Sequence, residues 1–261
     1  MTSSSGPGSG EELSGSLAVV IGAGQGIGAA IAVALGRAGA DVVVAGRALD
    51  RLGETADVLT EMGAGVGREE VDVSSPQSIE RLSAAVLERY TVPTVLVNSA
   101  GAGEPKDAFD VTEEDWNLIH DVHLRGTFFS CQAFGREMAR RSYGKIINLS
   151  STWAATVGAR RSVYCAAKAG VSHLTSALAV EWAPLGIRVN ALAPTATKTP
   201  ALEQRLAGDP KREDYLRARI PLGRLARPED IVGASIFLAS PASDFVTGHT
   251  LFVDGGWRSA R

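Results

Sequence analysis

Residues 17–39 read LAVVIGAGQGIGAAIAVALGRAG: an apolar, largely β-branched run, a cluster of glycines, then apolar residues at helical spacing. The run predicts a buried strand and the last part a helix, so Gly22, Gly24, Gly26 and Gly28 fall on the turn between them. Glycine lets a backbone turn sharply and come close to a ligand, and the free N–H groups and dipole of a helix start attract negative charge. A glycine cluster alone is a weak signal. Between a strand and a helix at the head of an alternating chain it points to a pyrophosphate-binding loop.

The alternation runs on. Strand-like stretches are expected at 17–21, 42–45, 71–73, 94–97, 145–149, 187–192 and 250–253. Helical stretches are expected at 26–38, 50–62, 76–89, 112–141 (as two helices), 161–183 and 228–239. Pro76 and Pro228 stand where a first helical turn tolerates proline, and Gly39 and Gly186 where helices stop. A (β/α)8 barrel would need eight comparable units and no special glycine loop. Seven runs and the loop favour an α/β fold of Rossmann type, a doubly wound, seven-stranded parallel sheet with its ligand beyond the carboxyl ends of the strands. Residues 195–222 break the pattern, being charged and poor in strand formers, and read either as a substrate loop or lid or as a surface excursion.

The chain has 261 residues, 45% of them hydrophobic, enough for one sizeable core. A single domain over 13–261 is expected. Residues 1–12 carry no apolar side chain after Met1 and read as a disordered tail. Lys and Arg number 26 against 29 Asp and Glu, a formal charge of −3, which argues against nucleic-acid or anionic-membrane partners and leaves a small molecule. The two cysteines, Cys131 and Cys165, form neither a disulfide framework nor a zinc spacing, and no metal site is expected. With no basic, apolar leader and no apolar run of about 20 residues, the sequence reads as a soluble cytoplasmic protein.

Where a dinucleotide with a free ribose 2′-hydroxyl wants a carboxylate, at the end of the second strand, this chain has Ala45-Gly46-Arg47. An arginine fork suits a 2′-phosphate, so NADP(H) is favoured over NAD(H), against the alternative that Arg47 merely opens the next helix. Asp72 has two compatible roles, holding an adenine amino group and capping the helix near Pro76. Tyr164 and Lys168 share a helix face at i and i+4, and a tyrosine exchanges protons near neutrality only beside a cation that stabilises its phenolate. Ser151, just beyond the fifth strand, can hold an oxygen on which charge develops. These three groups suit hydride transfer, with Tyr164 as general acid in reduction and general base in oxidation.

Taken together these segments resemble the short-chain dehydrogenase/reductase family, in its single-domain branch, from Leu13 to Trp257. The resemblance rests on Gly22-x-x-x-Gly26-x-Gly28, Asp72-Val73, Asn98-Ser99-Ala100-Gly101, Ser151, Tyr164-x-x-x-Lys168, Arg188-Val189-Asn190 and Asp254-Gly255-Gly256. It implies an alcohol dehydrogenase or carbonyl reductase with Tyr164 as acid/base, Lys168 on the nicotinamide ribose and Ser151 on the substrate oxygen. It also implies a homotetramer or homodimer with the Tyr164 helix at an interface. The candidate cofactor contacts are Gly22, Gln25, Gly26, Ile27, Gly28, Arg47, Asp72, Val73, Asn98, Ala100, Tyr164, Lys168, Thr197 and Thr199.

Three positions depart from the family pattern. His123 stands where an asparagine usually completes a water relay to the lysine; either its imidazole joins the relay or it has another partner. Thr195 follows Pro194 where glycine is common, and Ile21 stands where threonine is usual. His120 and His123 lack a third metal ligand nearby, and Cys165 reads as a packed side chain. Trp153 is either a pocket wall or a core residue. The principal reading is an oxidoreductase for a ketone or secondary alcohol. Two others stand beside it: a cofactor-binding sensor with weak or no redox activity, motivated by His123 and Thr195, and double-bond reduction or dehydration on the same scaffold. The substrate is not legible, and the lid charges, Lys198, Lys211, Arg212, Arg217 and Arg219 against Glu203, Asp209, Glu213 and Asp214, give no vote for an anion.

Overall fold

In the computed structural model, which describes residues 12–260, the opening segment forms β1 (Leu17–Ile21), a glycine turn and α1 (Gly26–Arg37). β2 (Asp41–Gly46), α2 (Leu49–Glu61), β3 (Val66–Glu70) and α3 (Pro76–Arg89) follow. β4 (Val95–Asn98) leads to α4 (Glu113–His120) and α5 (Gly126–Arg140), joined by a π-helical turn over Asp121–Arg125. Then come β5 (Gly144–Leu149), α6 (Ser162–Trp182), β6 (Ile187–Pro194), α7 (Pro200–Leu206), α8 (Pro210–Ala218), α9 (Glu229–Ala239) and β7 (Thr250–Val253). Of the expected disordered tail, residues 1–11 lie outside the described residues; Glu12 and Leu13 begin a turn, with Leu13 buried. Among the described residues no helix is long and apolar enough to cross a membrane.

The strands form one parallel sheet in the order β3-β2-β1-β4-β5-β6-β7. The order turns back between β1 and β4, which opens a crevice at their carboxyl ends. β1 is apolar at every position because both of its faces are covered. Ala18 and Val20 pack with Ile31, Leu35, Ile231 and Leu238 on one side, while Leu17, Val19 and Ile21 pack with Phe134, Met138 and Leu178 on the other.

Two expectations need correction. The third strand lies at Val66–Glu70, upstream of 71–73. It is an edge strand paired only with β2, and its charges are legible as strand only once Glu69 is seen paired with Arg89 at 2.7 Å and Gly67 packed under Tyr90. Val71 and Val73 are buried, but they continue past the end of β2 into the crevice wall. The 195–222 segment contains two helices, α7 and α8, capped by Thr199 and Asp209, whose side chains accept the backbone N–H groups of Leu202 and Arg212.

Candidate active site

The crevice is a cavity of about 470 Å³ bounded by the glycine loop, the ends of β2, β4, β5 and β6, the start of α6, and α7. The loop reaches this shape through positive φ at Gly22 (85°) and Gly26 (60°). A Cβ on Gly28 would stand 2.2 Å from the Gly22 carbonyl oxygen, so only glycine lets α1 begin this close to the strand. Gln25, Ile27, Val73 and Ala100 also face the cavity. Asn98 does not: its side chain donates to Asn148 Oδ1 at 2.9 Å and to Cys131 Sγ at 3.3 Å, so it braces the sheet beneath the site.

At one end lie Arg47, exposed after β2, and Arg51, which donates to Gln25 Oε1 at 3.1 Å. Arg51 was not among the residues expected from the sequence, although it follows Arg47 by one helical turn and sets a second cation beside the loop. Asp72 also lines this end. Its Oδ1 accepts the N–H (2.9 Å) and the hydroxyl (2.7 Å) of Ser74; the hydroxyl bond leads in holding its carboxyl below the usual range, with the charge of Arg47 contributing. Asp72 does not cap α3, a role taken by Ser75. Thr199 lies against Gly26, and Thr197 donates to the Thr195 carbonyl at 2.9 Å. The Thr195 hydroxyl is buried on the wall with no hydrogen-bond partner among the described residues. A glycine-lined helix start, paired cations and an unpartnered hydroxyl fit a nicotinamide dinucleotide.

At the other end Ser151, Tyr164, Lys168 and His123 share one wall. Ser151 caps a short 3-10 turn, its Oγ accepting the Trp153 N–H at 3.2 Å. Burial pushes the Tyr164 phenol up, opposed by hydrogen bonding from Ser151 and by the charges of Arg161 and Arg205. Lys168 donates to the Leu149 carbonyl at 2.5 Å, lies 5.8 Å from the Tyr164 ring centroid, and is pushed down to about 7 by burial. His123, in the π-helical turn, meets the Tyr164 ring edge-on at 5.2 Å. Its Nε2 lies 2.9 Å from the Ala102 carbonyl oxygen and 3.2 Å from the Ala102 nitrogen, so either tautomer finds a partner at Ala102, and Nδ1 is buried with no hydrogen-bond partner among the described residues. Burial first, then the Lys168 charge, lowers the imidazole to about 3, so His123 is neutral at physiological pH.

His120 turns away and stacks on Trp116. Cys165 is half-buried, with its thiol pushed up by burial. Trp153 lines the cavity and packs edge-on against Trp257 at 5.5 Å, so its two readings coincide. Arg161 and Arg205 also line the cavity and were not singled out from the sequence. The available signal for Arg161 was its place one helical turn before Tyr164.

A family model described as "Enoyl-(Acyl carrier protein) reductase" matches residues 22–258. The chain is 40% identical over 247 residues to 2-dehydro-3-deoxy-D-gluconate 5-dehydrogenase of Bacillus subtilis, covering 95% of this chain and 96% of that protein. It is 38% identical to D-threitol dehydrogenase of Mycolicibacterium smegmatis, with 94% of each covered. A crystal structure of a gluconate 5-dehydrogenase from Burkholderia cenocepacia, in complex with NADP and tartrate, superposes with a TM-score of 0.92 at 34% identity, covering 97% of this chain and 99% of that one.

Proposed function

The chain belongs to the short-chain dehydrogenase/reductase family, and on that premise we propose that it interconverts a secondary alcohol and a ketone on a sugar or polyol, with NADP(H) preferred. That it is an NAD(P)-dependent oxidoreductase follows from its relatives. The observation that carries the finer reading is the convergence of Ser151, Tyr164 and Lys168 on one wall of a cavity whose other end fits a dinucleotide. When bound, the nicotinamide would supply or accept the hydride. In reduction Tyr164 Oη passes its proton to the carbonyl oxygen while Ser151 donates a hydrogen bond to the same oxygen; in oxidation the tyrosine takes the alcohol proton. The Lys168 ammonium lowers the cost of the phenolate, and the unpartnered Nδ1 of His123 would join, through a water, a relay to Lys168. Arg47 and Arg51 would hold the 2′-phosphate of the cofactor. The free thiols of Cys131 and Cys165 suit a reducing cytoplasm.

The test is oxidation of NADPH, and separately NADH, across keto sugars, keto acids and cyclic ketones. Tyr164→Phe serves as the control, expected to lose about 10²- to 10⁴-fold in turnover while binding NADPH within a few fold. Retained activity in that variant sinks the acid/base assignment. NADPH binding without turnover on any substrate favours the second reading, a redox-silent nucleotide sensor, for which His123 in place of asparagine is the motivating residue.

A further inference from the structure

The charges on the cavity wall are unequally partnered. Asp72 is its sole carboxylate among the described residues, and it lies with Arg47 and Arg51 at the glycine-loop end. At the Tyr164 end, Lys168 is hydrogen-bonded to the Leu149 carbonyl, and Arg205 donates to Glu104 at 2.8 and 3.0 Å and to the Gly103 carbonyl at 2.9 Å. Arg161 differs. Its half-buried guanidinium has neither a hydrogen bond nor an ion pair among the described residues. Taking a guanidinium from water without a partner is costly, and a protein tolerates that where a ligand completes the site.

The backbone around Arg161 is held in place. Arg160 has a φ of 63°, a left-handed conformation unfavourable for a side chain of this size. Its carbonyl accepts the Lys106 N–H at 3.2 Å, and its guanidinium reaches the Pro105 carbonyl at 3.3 Å and Asp107 at 3.5 Å. Two consecutive arginines are thereby sent in different directions: Arg160 outward onto the 105–107 loop, Arg161 onto the cavity wall. Arg161 is the N-cap residue of α6, three positions before Tyr164, and both residues line the cavity.

Resting on the oxidoreductase reading above, we propose that Arg161 is a specificity-determining residue that grips a carboxylate of the substrate, placing the reacting carbon at Tyr164, so that acidic sugars are preferred to their neutral polyol counterparts. One guanidinium fork matches the two oxygens of one carboxylate. Arg205, already paired with Glu104, leaves Arg161 to take this role.

The test compares carboxylates with neutral counterparts of the same carbon skeleton: D-gluconate with D-glucitol, threonate with threitol, glycerate with glycerol. Binding to the full chain with NADP present is read by calorimetry, and turnover is read as KM and kcat. For at least one pair the wild type should bind the acid more tightly. Arg161→Gln should weaken the acid at least about tenfold in Kd and KM with kcat within about threefold, and leave the neutral partner within about twofold. Arg161→Lys should fall between, and Arg160→Gln, off the wall, should not discriminate. The inference fails if no pair shows a preference in the wild type, a result that needs no variant to fold. It fails also if Arg161→Gln shifts the pH profile equally for acid and neutral substrates, because the arginine then only tunes Tyr164. Tighter binding of D-glucitol 6-phosphate than of D-gluconate overturns the carboxylate assignment in favour of a phosphate ester. Arg161-dependent acid binding without turnover of any substrate sinks the oxidoreductase reading and leaves this one standing.

Discussion

Lys168 shows how a single side chain sets folding against chemistry. Its ammonium is buried, and burial lowers it to about 7 from an ordinary value of 10.5. The unfolded chain therefore holds this proton more tightly than the folded one. The resulting destabilisation is fully present below about pH 7 and is relieved as pH rises toward the unfolded value. Lys168→Met, of similar length and apolar, should remove that cost, raising stability at neutral pH by on the order of 1 kcal/mol, about 2–4 °C in Tm. Turnover should vanish. The Tm gap between variant and wild type should narrow from pH 7 to pH 10, and a gap constant with pH would mean that the lysine is not desolvated in the folded chain. At this scale the meeting of Ser151, Tyr164 and Lys168 on one cavity wall was legible, because residue type and spacing fix it. Arg161 was not, because its meaning lies in the lack of a partner, which no spacing encodes.

The turn from β1 into α1 tolerates little change. Gly28→Ala would drive a methyl group to 2.2 Å from the Gly22 carbonyl, and backbone is what it meets. The variant should lose about 1–3 kcal/mol in denaturant unfolding and bind NADPH at least about tenfold more weakly by fluorescence titration. Unchanged binding would place the nucleotide elsewhere in the crevice. Legibility differed between elements for the same physical reason. β1 and β7 match their expected bounds because both are short runs rich in β-branched residues closed by glycine or aspartate-glycine. β3 was misplaced because an edge strand satisfies its polar side chains through partners distant in sequence, Arg89 for Glu69. α7 and α8 were missed since charge masked their periodicity, although Thr199-Pro200 and Asp209-Pro210 are start signals of the kind recognised at Ser75-Pro76.

On the scale of the whole molecule, the face of α6 turned from the core is uncommonly smooth: Ala166, Ala169, His173, Ala177 and Val180 are exposed, Val180 to 78%. The family resemblance leads to the expectation of an interface on this helix, where small side chains would let two copies approach closely about a twofold axis. Ala177→Arg combined with Val180→Arg should reduce the particle mass measured by light scattering, while the isolated chain keeps its far-ultraviolet circular dichroism. An unchanged mass would move the interface off α6. The doubly wound parallel sheet was foreseeable from the alternation and the glycine loop, whereas the order of its strands and whatever covers α6 depend on packing that a single chain does not announce.

The π-helical turn at Asp121–Arg125 is an indexing slip. It inserts one residue into an otherwise continuous helix, rotating α5 by about 100° against α4. On one side of the slip Ile119 is aimed at Val163 and Ala167 of α6; on the other, Cys131, Phe134 and Met138 are aimed at the sheet. His123 sits at the dislocation, its side chain committed to neither packing face. Deleting any one residue between 121 and 125 would leave both apolar stripes intact in composition but out of phase, so that the chain could seat one and not both. What this stretch cannot vary is its length.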